Sequence, residues 1–308
     1  MPQPVVALVG ATASGKTALS LDLAERLGGE VVNTDAMQVY RGMDIGTAKL
    51  PVAERRGIPH HLLDLLEVTE PATVALFQAW ARDAIADIRG RGGTPVLVGG
   101  SALYTRAIVD RFEFPGTDDS LRRELEAELE RLGSPALHAR LAGVDPEAAA
   151  QILPDNGRRV VRALEVIALT GRPFSASLPR LEYDDPLTVQ VGVDIDRPTL
   201  DERIARRVDE MFAAGFVAEV EALLDRGLAE GRTASRAIGY REVMGFLAGD
   251  RSLDEAVAQT KAATRRFARR QDSWFRKDPR IVWVAHDDPR RVDRALAAIA
   301  EIDQAHCR

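Results

Sequence analysis

The apolar positions of this chain change their period along its length, and the changes divide it into three regions. Short continuous apolar runs at residues 5–9, 30–34, 95–98, 188–194 and 281–284 have the length of strands buried on both faces. Helical spacing lies between several of them, beginning with Ala18 to Leu27, so the alternation predicts a parallel sheet covered by helices. From Phe114 to Asp185 the pattern differs. There Leu121-Leu125-Leu129-Leu132 and Val160-Val161-Leu164-Ile167-Ala168 keep helical spacing with no strand between them. Turn signals frame the stretch at Phe114-Pro115-Gly116-Thr117-Asp118 and Tyr183-Asp184-Asp185-Pro186. The expected organisation is therefore a core of residues 1–116 and 187–308 with a helical insertion domain at 117–186. Residues Arg197 to Lys277 are again helical and densely charged.

Composition narrows the class. With 308 residues, 45% apolar and 29% charged, the chain can bury a sizeable core. Its apolar runs fall far short of the ~20 residues needed to cross a bilayer, and no basic segment followed by an apolar one opens it, so a cytoplasmic protein with no membrane partner is expected. Cys307 is the single cysteine, which excludes an intrachain disulfide and a cysteine metal site and leaves a tail thiol. A net charge of -6 argues against indiscriminate coating of nucleic acid but leaves room for a local basic groove.

The densest chemistry lies at Gly10-Ala11-Thr12-Ala13-Ser14-Gly15-Lys16-Thr17, between the first strand and the first helix. Glycines at both ends let successive amides point inward, and the helix start adds its positive end, giving a cradle for phosphate. Lys16 supplies a cation, Thr17 a hydroxyl for Mg2+, and Thr12 and Ser14 further donors. Asp35 follows the second strand, where a carboxylate would face the same crevice, as a metal ligand, a base or an ordinary turn residue. After the third strand an ATPase would carry an acid, but Gly99-Gly100-Ser101 stand there, leaving Asp194 as the alternative.

Basic clusters are ambiguous by themselves. Arg158 and Arg162 lie one turn apart beside Arg159, able to clasp a phosphate or to form a solvated helix face. Arg122 and Arg123 are similar. Lys261, Arg265 and Arg269 recur every four residues beside Arg266 and Arg270, as a stripe for an RNA backbone or as an exposed, salt-bridged helix. His60 and His61 lack the spacing of a helical metal pair. Trp274 and Phe275 fit core packing better than base stacking.

Taken in order, these segments resemble the tRNA dimethylallyltransferase (isopentenyltransferase) family. The resemblance spans nearly the whole chain: residues 10–17, Asp35-Ala36-Met37-Gln38-Val39-Tyr40, Gly42-Met43-Asp44-Ile45-Gly46-Thr47-Ala48-Lys49, His60-His61-Leu62-Leu63-Asp64 and Gly99-Gly100-Ser101-Ala102-Leu103-Tyr104. It continues through Arg158-Arg159-Val160-Val161-Arg162-Ala163-Leu164-Glu165, Ile238-Gly239-Tyr240-Arg241-Glu242 and Arg269-Arg270-Gln271-Asp272-Ser273-Trp274-Phe275. It implies an α/β fold with a P-loop NTPase-like parallel sheet core and a helical insertion. The implied reaction moves the dimethylallyl group of dimethylallyl diphosphate to N6 of the adenosine 3′ of the anticodon, position 37, in tRNAs reading codons that begin with U.

By the same resemblance Asp35 is the base, Lys16 and the loop from Gly10 to Thr17 hold the diphosphate with Arg158 and Arg162, and Thr17 holds Mg2+. Ser101 replaces the family's threonine and keeps the hydroxyl that holds N6. The tRNA would be met by Asp35, Ala36, Met37, Gln38, Ser101, Arg122, Arg123, the run Arg158 to Arg162 with Val160 and Val161, and Lys261, Arg265 and Arg269. The target base must be flipped from its stack. Departures are Ala11 for Pro, Ala102 for Gly and Ala36 for Ser, the last removing a hydroxyl contact. A monomer gripping one anticodon stem-loop is expected. The competing reading is a P-loop small-molecule kinase, with ATP in the loop and Asp35 activating an acceptor hydroxyl.

Overall fold

The computed structural model describes residues 3–112, 114–175 and 181–306, so Cys307 lies outside the described residues. Among them, β1 (Val5–Val9), β2 (Gly29–Asn33), β3 (His60–His61), β4 (Thr94–Val98), β5 (Thr188–Asp194) and β6 (Ile281–Ala285) form one sheet in the order β3-β2-β4-β1-β5-β6. Every pairing is parallel. β1 sits inside the sheet with all five residues buried, which is why its sequence is uninterrupted Val, Ala and Leu. Leu8 pairs with Val98, so the turns after β1 and β4 emerge side by side at the carboxyl edge.

Helix α1 (Lys16–Leu27) packs Leu19 and Leu23 against Val6, Leu8, Val96 and Val191. Burying each such side chain contributes roughly 1.5–3 kcal/mol. Helix α2 (Val74–Gly90) precedes β4, and α3 (Ala102–Val109) follows it.

The chain divides into two units, Met1–Val109 with Asp185–Arg308, and Asp110–Asp184. The second is the helical insertion, bounded by an antiparallel bridge between Asp110 and Tyr183 rather than by the turn at Phe114 to Asp118. It holds α4 (Asp119–Leu132), α5 (Ser134–Val144), α6 (Pro146–Gln151) and α7 (Gly157–Thr170), packed around Leu125, Leu137, Leu141, Val160 and Leu164. Val160 and Val161 are thus core residues, 0% and 2% exposed, whose side chains pack within this unit.

The remaining helices of the larger unit are α8 (Arg197–Ala213), α9 (Phe216–Leu224), α10 (Tyr240–Leu247), α11 (Leu253–Phe275) and α12 (Arg291–His306). Ser252 starts α11 with a capping box, its hydroxyl accepting from Glu255 N at 3.2 Å while Glu255 accepts from Ser252 N at 2.7 Å. α8 lies along α11 through Leu200, Ile204, Val208 and Ala268, and Ala11 joins this cluster. No helix among the described residues is long and apolar enough to cross a membrane.

Candidate active site

The loop from Gly10 to Gly15 curls because Gly10, Ala13 and Gly15 adopt φ of 139°, 62° and 103°. Three features mark it as a site prepared for a ligand. The hydroxyl of Ser14 is buried with no hydrogen-bond partner among the described residues. Lys16, 9% exposed, has no carboxylate in contact among the described residues and donates instead to the carbonyls of Gly10 at 2.9 Å and Ala11 at 2.6 Å. Burial and the neighbouring Arg207 pull its ammonium down to about 7, against a smaller opposing pull from Asp35. An anion entering the loop would satisfy all of these groups.

The loop is tied to the turn after β4 by a residue that sequence reasoning gave no role. Gln271 of α11 accepts from Thr12 N at 2.8 Å and donates to Gly100 O at 2.7 Å. Gly100 has no side chain because Gln271 occupies that space.

Asp35 leaves the sheet just after β2. Asn33 fixes its backbone, with Oδ1 accepting from Asp35 N at 2.8 Å and Nδ2 donating to Asp35 O at 2.9 Å. Burial pushes the carboxyl above the ordinary range, against hydrogen bonding from Met37 N and the charges of Lys16 and Arg207. With its pKa raised, the carboxylate takes up a proton more readily than an ordinary aspartate.

Two cavities meet at this residue. The first, about 530 Å3, is polar and includes Thr12, Lys16, Thr17, Gln38, Arg203 and Arg207. The second, about 320 Å3, is mainly apolar and includes Met37, Ser101, Met211, Phe216, Ile238 and Phe267. Asp35, Thr12, Ala13, Thr47, Arg207 and Phe267 line both, so the carboxylate stands where a charged compartment gives way to a greasy one.

The arginines opposite the loop come from α8. Arg207 reaches Thr12 Oγ1 at 3.4 Å, and Arg203 donates to Ser14 O at 3.3 Å. Arg203 and Arg207 are one turn apart and interleave with the buried Leu200, Ile204 and Val208, a spacing that does not by itself say that this helix packs beside the loop.

The other candidates divide. Asp194, the alternative acid, is paired with Arg276 and does not line either cavity. Lys261 pairs with Asp209 at 2.6 Å, Arg269 with Asp201 at 3.6 Å, and Arg265 reaches Asp201 O at 3.5 Å. Much of the cationic stripe is therefore spent on α8, leaving Arg266 and Arg270 exposed beside the half-exposed Arg269. In the insertion unit, Arg122 and Arg162 both pair with Glu165, whose side chain is 0% exposed, while Arg123 donates to its own helix at Asp119 O. Arg158 and Arg159 are exposed and have no carboxylate partner among the described residues. His61 pairs with Glu30 at 2.6 Å, and no group of three His, Cys, Asp or Glu suited to a metal occurs among the described residues. Phe275 is buried as expected, but Trp274 is 51% exposed, with Lys277 over its ring.

A glycine-bent loop at the carboxyl edge of a parallel sheet, beside a carboxylate that lines both a polar and an apolar cavity, gives this chain a P-loop NTPase-like fold with a prepared anion site. The IPP transferase family model matches residues 38–278, and the chain belongs to that family and is a prenyl-transferring enzyme. It is 75% identical to the tRNA dimethylallyltransferase of Nocardioides sp. (strain ATCC BAA-499 / JS614) over 96% of each chain, and 60% identical to that of Salinispora tropica over 96% of this chain and 92% of the relative. Among solved structures it resembles the tRNA isopentenylpyrophosphate transferase of Bacillus halodurans, with TM-score 0.74, 40% identity and 99% and 100% coverage. A eukaryotic dimethylallyltransferase acting on tRNA matches with TM-score 0.83 and 28% identity, over 99% of this chain and 80% of the other.

Proposed function

We propose that the protein transfers the dimethylallyl group of dimethylallyl diphosphate to N6 of adenosine 37 of tRNA. The observation that carries this reading is the position of Asp35 on the boundary between the cationic and apolar cavities. The diphosphate occupies the loop, where Lys16, Arg203, Arg207 and the Ser14 hydroxyl meet the charge that grows as the carbon–oxygen bond breaks. The five-carbon group extends towards the apolar chamber. As N6 bonds to the freed carbon, Asp35 takes the N6 proton and the diphosphate leaves with the bonding electron pair. Ser101, lining the apolar chamber with Asp35, holds N6 in line.

Magnesium fits this donor set in one way. Thr17 is exposed in the polar cavity, and as no group of three His, Cys, Asp or Glu suited to a metal occurs among the described residues, the ion would be held by Thr17 and the diphosphate itself. When bound it would neutralise charge on the leaving group. The flipped base enters with Ala36, Met37 and Gln38 beside it, and exposed Arg158, Arg159, Arg266 and Arg270 are the cations left for the RNA backbone.

The test is transfer of label from radiolabelled dimethylallyl diphosphate, with Mg2+, to an unmodified anticodon stem-loop carrying adenosine 37, beside an ATP-hydrolysis assay. Transfer with little ATP turnover supports the reading. Absence of transfer, with ATP consumed only when a small acceptor is added, would replace it by the kinase.

A further inference from the structure

Glu219 of α9 makes an unusual set of contacts. Its Oε2 accepts from Asp44 N at 3.0 Å and Ile45 N at 2.6 Å, and its Oε1 accepts from Gly46 N at 3.1 Å and from the Tyr240 hydroxyl at 2.6 Å. Burial beside this carboxylate pushes the Tyr240 phenol upward, so it stays a donor. Four donors converge on one side chain, and three are consecutive amides of a loop with no regular structure. Gly46 is pressed against Phe216 and Tyr240 with no space for a side chain, so the loop is docked as well as hydrogen-bonded. Lys49, side chain 4% exposed, anchors the other end of the loop through Asp44 and Asp64, each at 2.6 Å.

What the clamp holds bears on the reaction. Thr47, the residue after the clamped amides, lines both cavities, and its carbonyl accepts from Gln38 Nε2 at 3.1 Å. With its amide nitrogen committed there, the Gln38 carboxamide is fixed in one orientation. The loop is thus the piece of backbone that sets where Gln38 and Thr47 stand relative to Asp35.

We propose that Glu219 is a positioning residue for the RNA substrate: it holds residues 44–47 so that Thr47 orients Gln38 beside the incoming base. This rests on the prenyl-transfer reading above. Among the described residues Glu219 has no hydrogen bond to residues 10–17, so its loss is expected to fall more on the stem-loop than on the diphosphate, whose polar cavity Gln38 and Thr47 also line.

The test is steady-state transfer of label with each substrate varied in turn, for wild type, Glu219→Ala, Glu219→Gln and Tyr240→Phe, with thermal unfolding in parallel. Glu219→Ala is expected to raise KM for the stem-loop by about tenfold to a hundredfold, the range for losing a group that orients a contacting side chain, with KM for dimethylallyl diphosphate changing by less than about twofold. Glu219→Gln keeps one acceptor oxygen and should fall between, and Tyr240→Phe should shift the stem-loop KM least. If Glu219→Ala does not fold, the order of the other two variants decides. Equal rises in both KM values, or a loss confined to kcat with both KM values unchanged, overturn the assignment, because a merely structural role would act on the amount of active enzyme. Wild type that transfers no label would instead remove the reading on which the assignment rests.

Discussion

Two buried charge sites, one in each unit, are built in opposite ways. In the insertion, Glu165 is sealed from solvent and answered in full: Arg122 and Arg162 pair with it, and Asp118 N donates at 3.3 Å. Arg162 also donates to the carbonyls of Gly116 and Pro115. At the loop, among the described residues, Lys16 has two carbonyls as its hydrogen-bond partners, the Ser14 hydroxyl has none, and Asp35 carries a raised pKa. A satisfied buried charge organises the chain around it, whereas an unsatisfied one stores interaction for something that is to arrive. The contrast recurs within α7, where Arg162 is committed to Glu165 and Arg158 has no carboxylate partner among the described residues.

Removing the groups that face the loop should damage chemistry and spare the fold. Asp35→Ala is expected to lower kcat by about 10²–10⁴, the usual worth of general base catalysis, with much less change in tRNA affinity measured by filter binding. Equal losses in both would remove its role as base. Lys16→Ala should cost roughly 10²–10³ in kcat through lost stabilisation of the leaving diphosphate, with the thermal midpoint unchanged or raised, since a buried, poorly paired cation is removed.

The satisfied cluster should behave in reverse. Glu165→Ala leaves two arginines without their carboxylate and is expected to destabilise the insertion by about 3 kcal/mol in denaturant unfolding, near the low end for a broken buried pair because the arginines are partly exposed. Burial alone would raise the Glu165 pKa, but hydrogen bonds from Arg122 and Arg162 outweigh it and hold the group low. Its stabilising effect is therefore present above the unfolded-state value near 4.5 and is lost as pH falls through the lower folded value. Glu165→Ala should flatten that acid limb.

Smaller effects sharpen the contrast inside one helix and at one lysine. Arg158→Ala should weaken stem-loop binding by a few-fold with stability unchanged, as for one phosphate contact, and with a shallower salt dependence. Arg162→Ala should mainly lower stability. Because burial and Arg207 pull the ammonium of free Lys16 down to about 7, forming the diphosphate-bound form above that pH is expected to take up a proton. Affinity for inorganic diphosphate should then fall by up to about tenfold per pH unit above 7, and calorimetry in buffers of different ionisation enthalpy should register the uptake. Binding that takes up no proton at pH 8 would contradict this account of Lys16.

Much of this organisation is written locally. The apolar runs place five strands within a residue of where they lie, and the loop residues sit between β1 and α1 as expected. β3 escapes notice because two residues, His60 and His61, pair with Val31 and Val32 without any apolar pattern of their own. Arg203, Arg207 and Gln271 were hidden for a different reason: each is a polar residue on a charged helix, and only long-range packing of α8 and α11 brings it to the loop. The stripe on α11 illustrates the same limit, since its spacing is legible but its neighbours Asp201 and Asp209 are not.

The bridge between Asp110 and Tyr183 brings the points where the chain enters and leaves the insertion to about 5 Å apart, the spacing of bridged strands. The insertion is thereby built as a cassette. A gene cut at those codons and rejoined by a few glycines would preserve the reading order of every strand, and the excised piece could be exchanged between relatives as a unit. The fold offers a ready-made splice point at which a catalytic core and a helical accessory can be recombined.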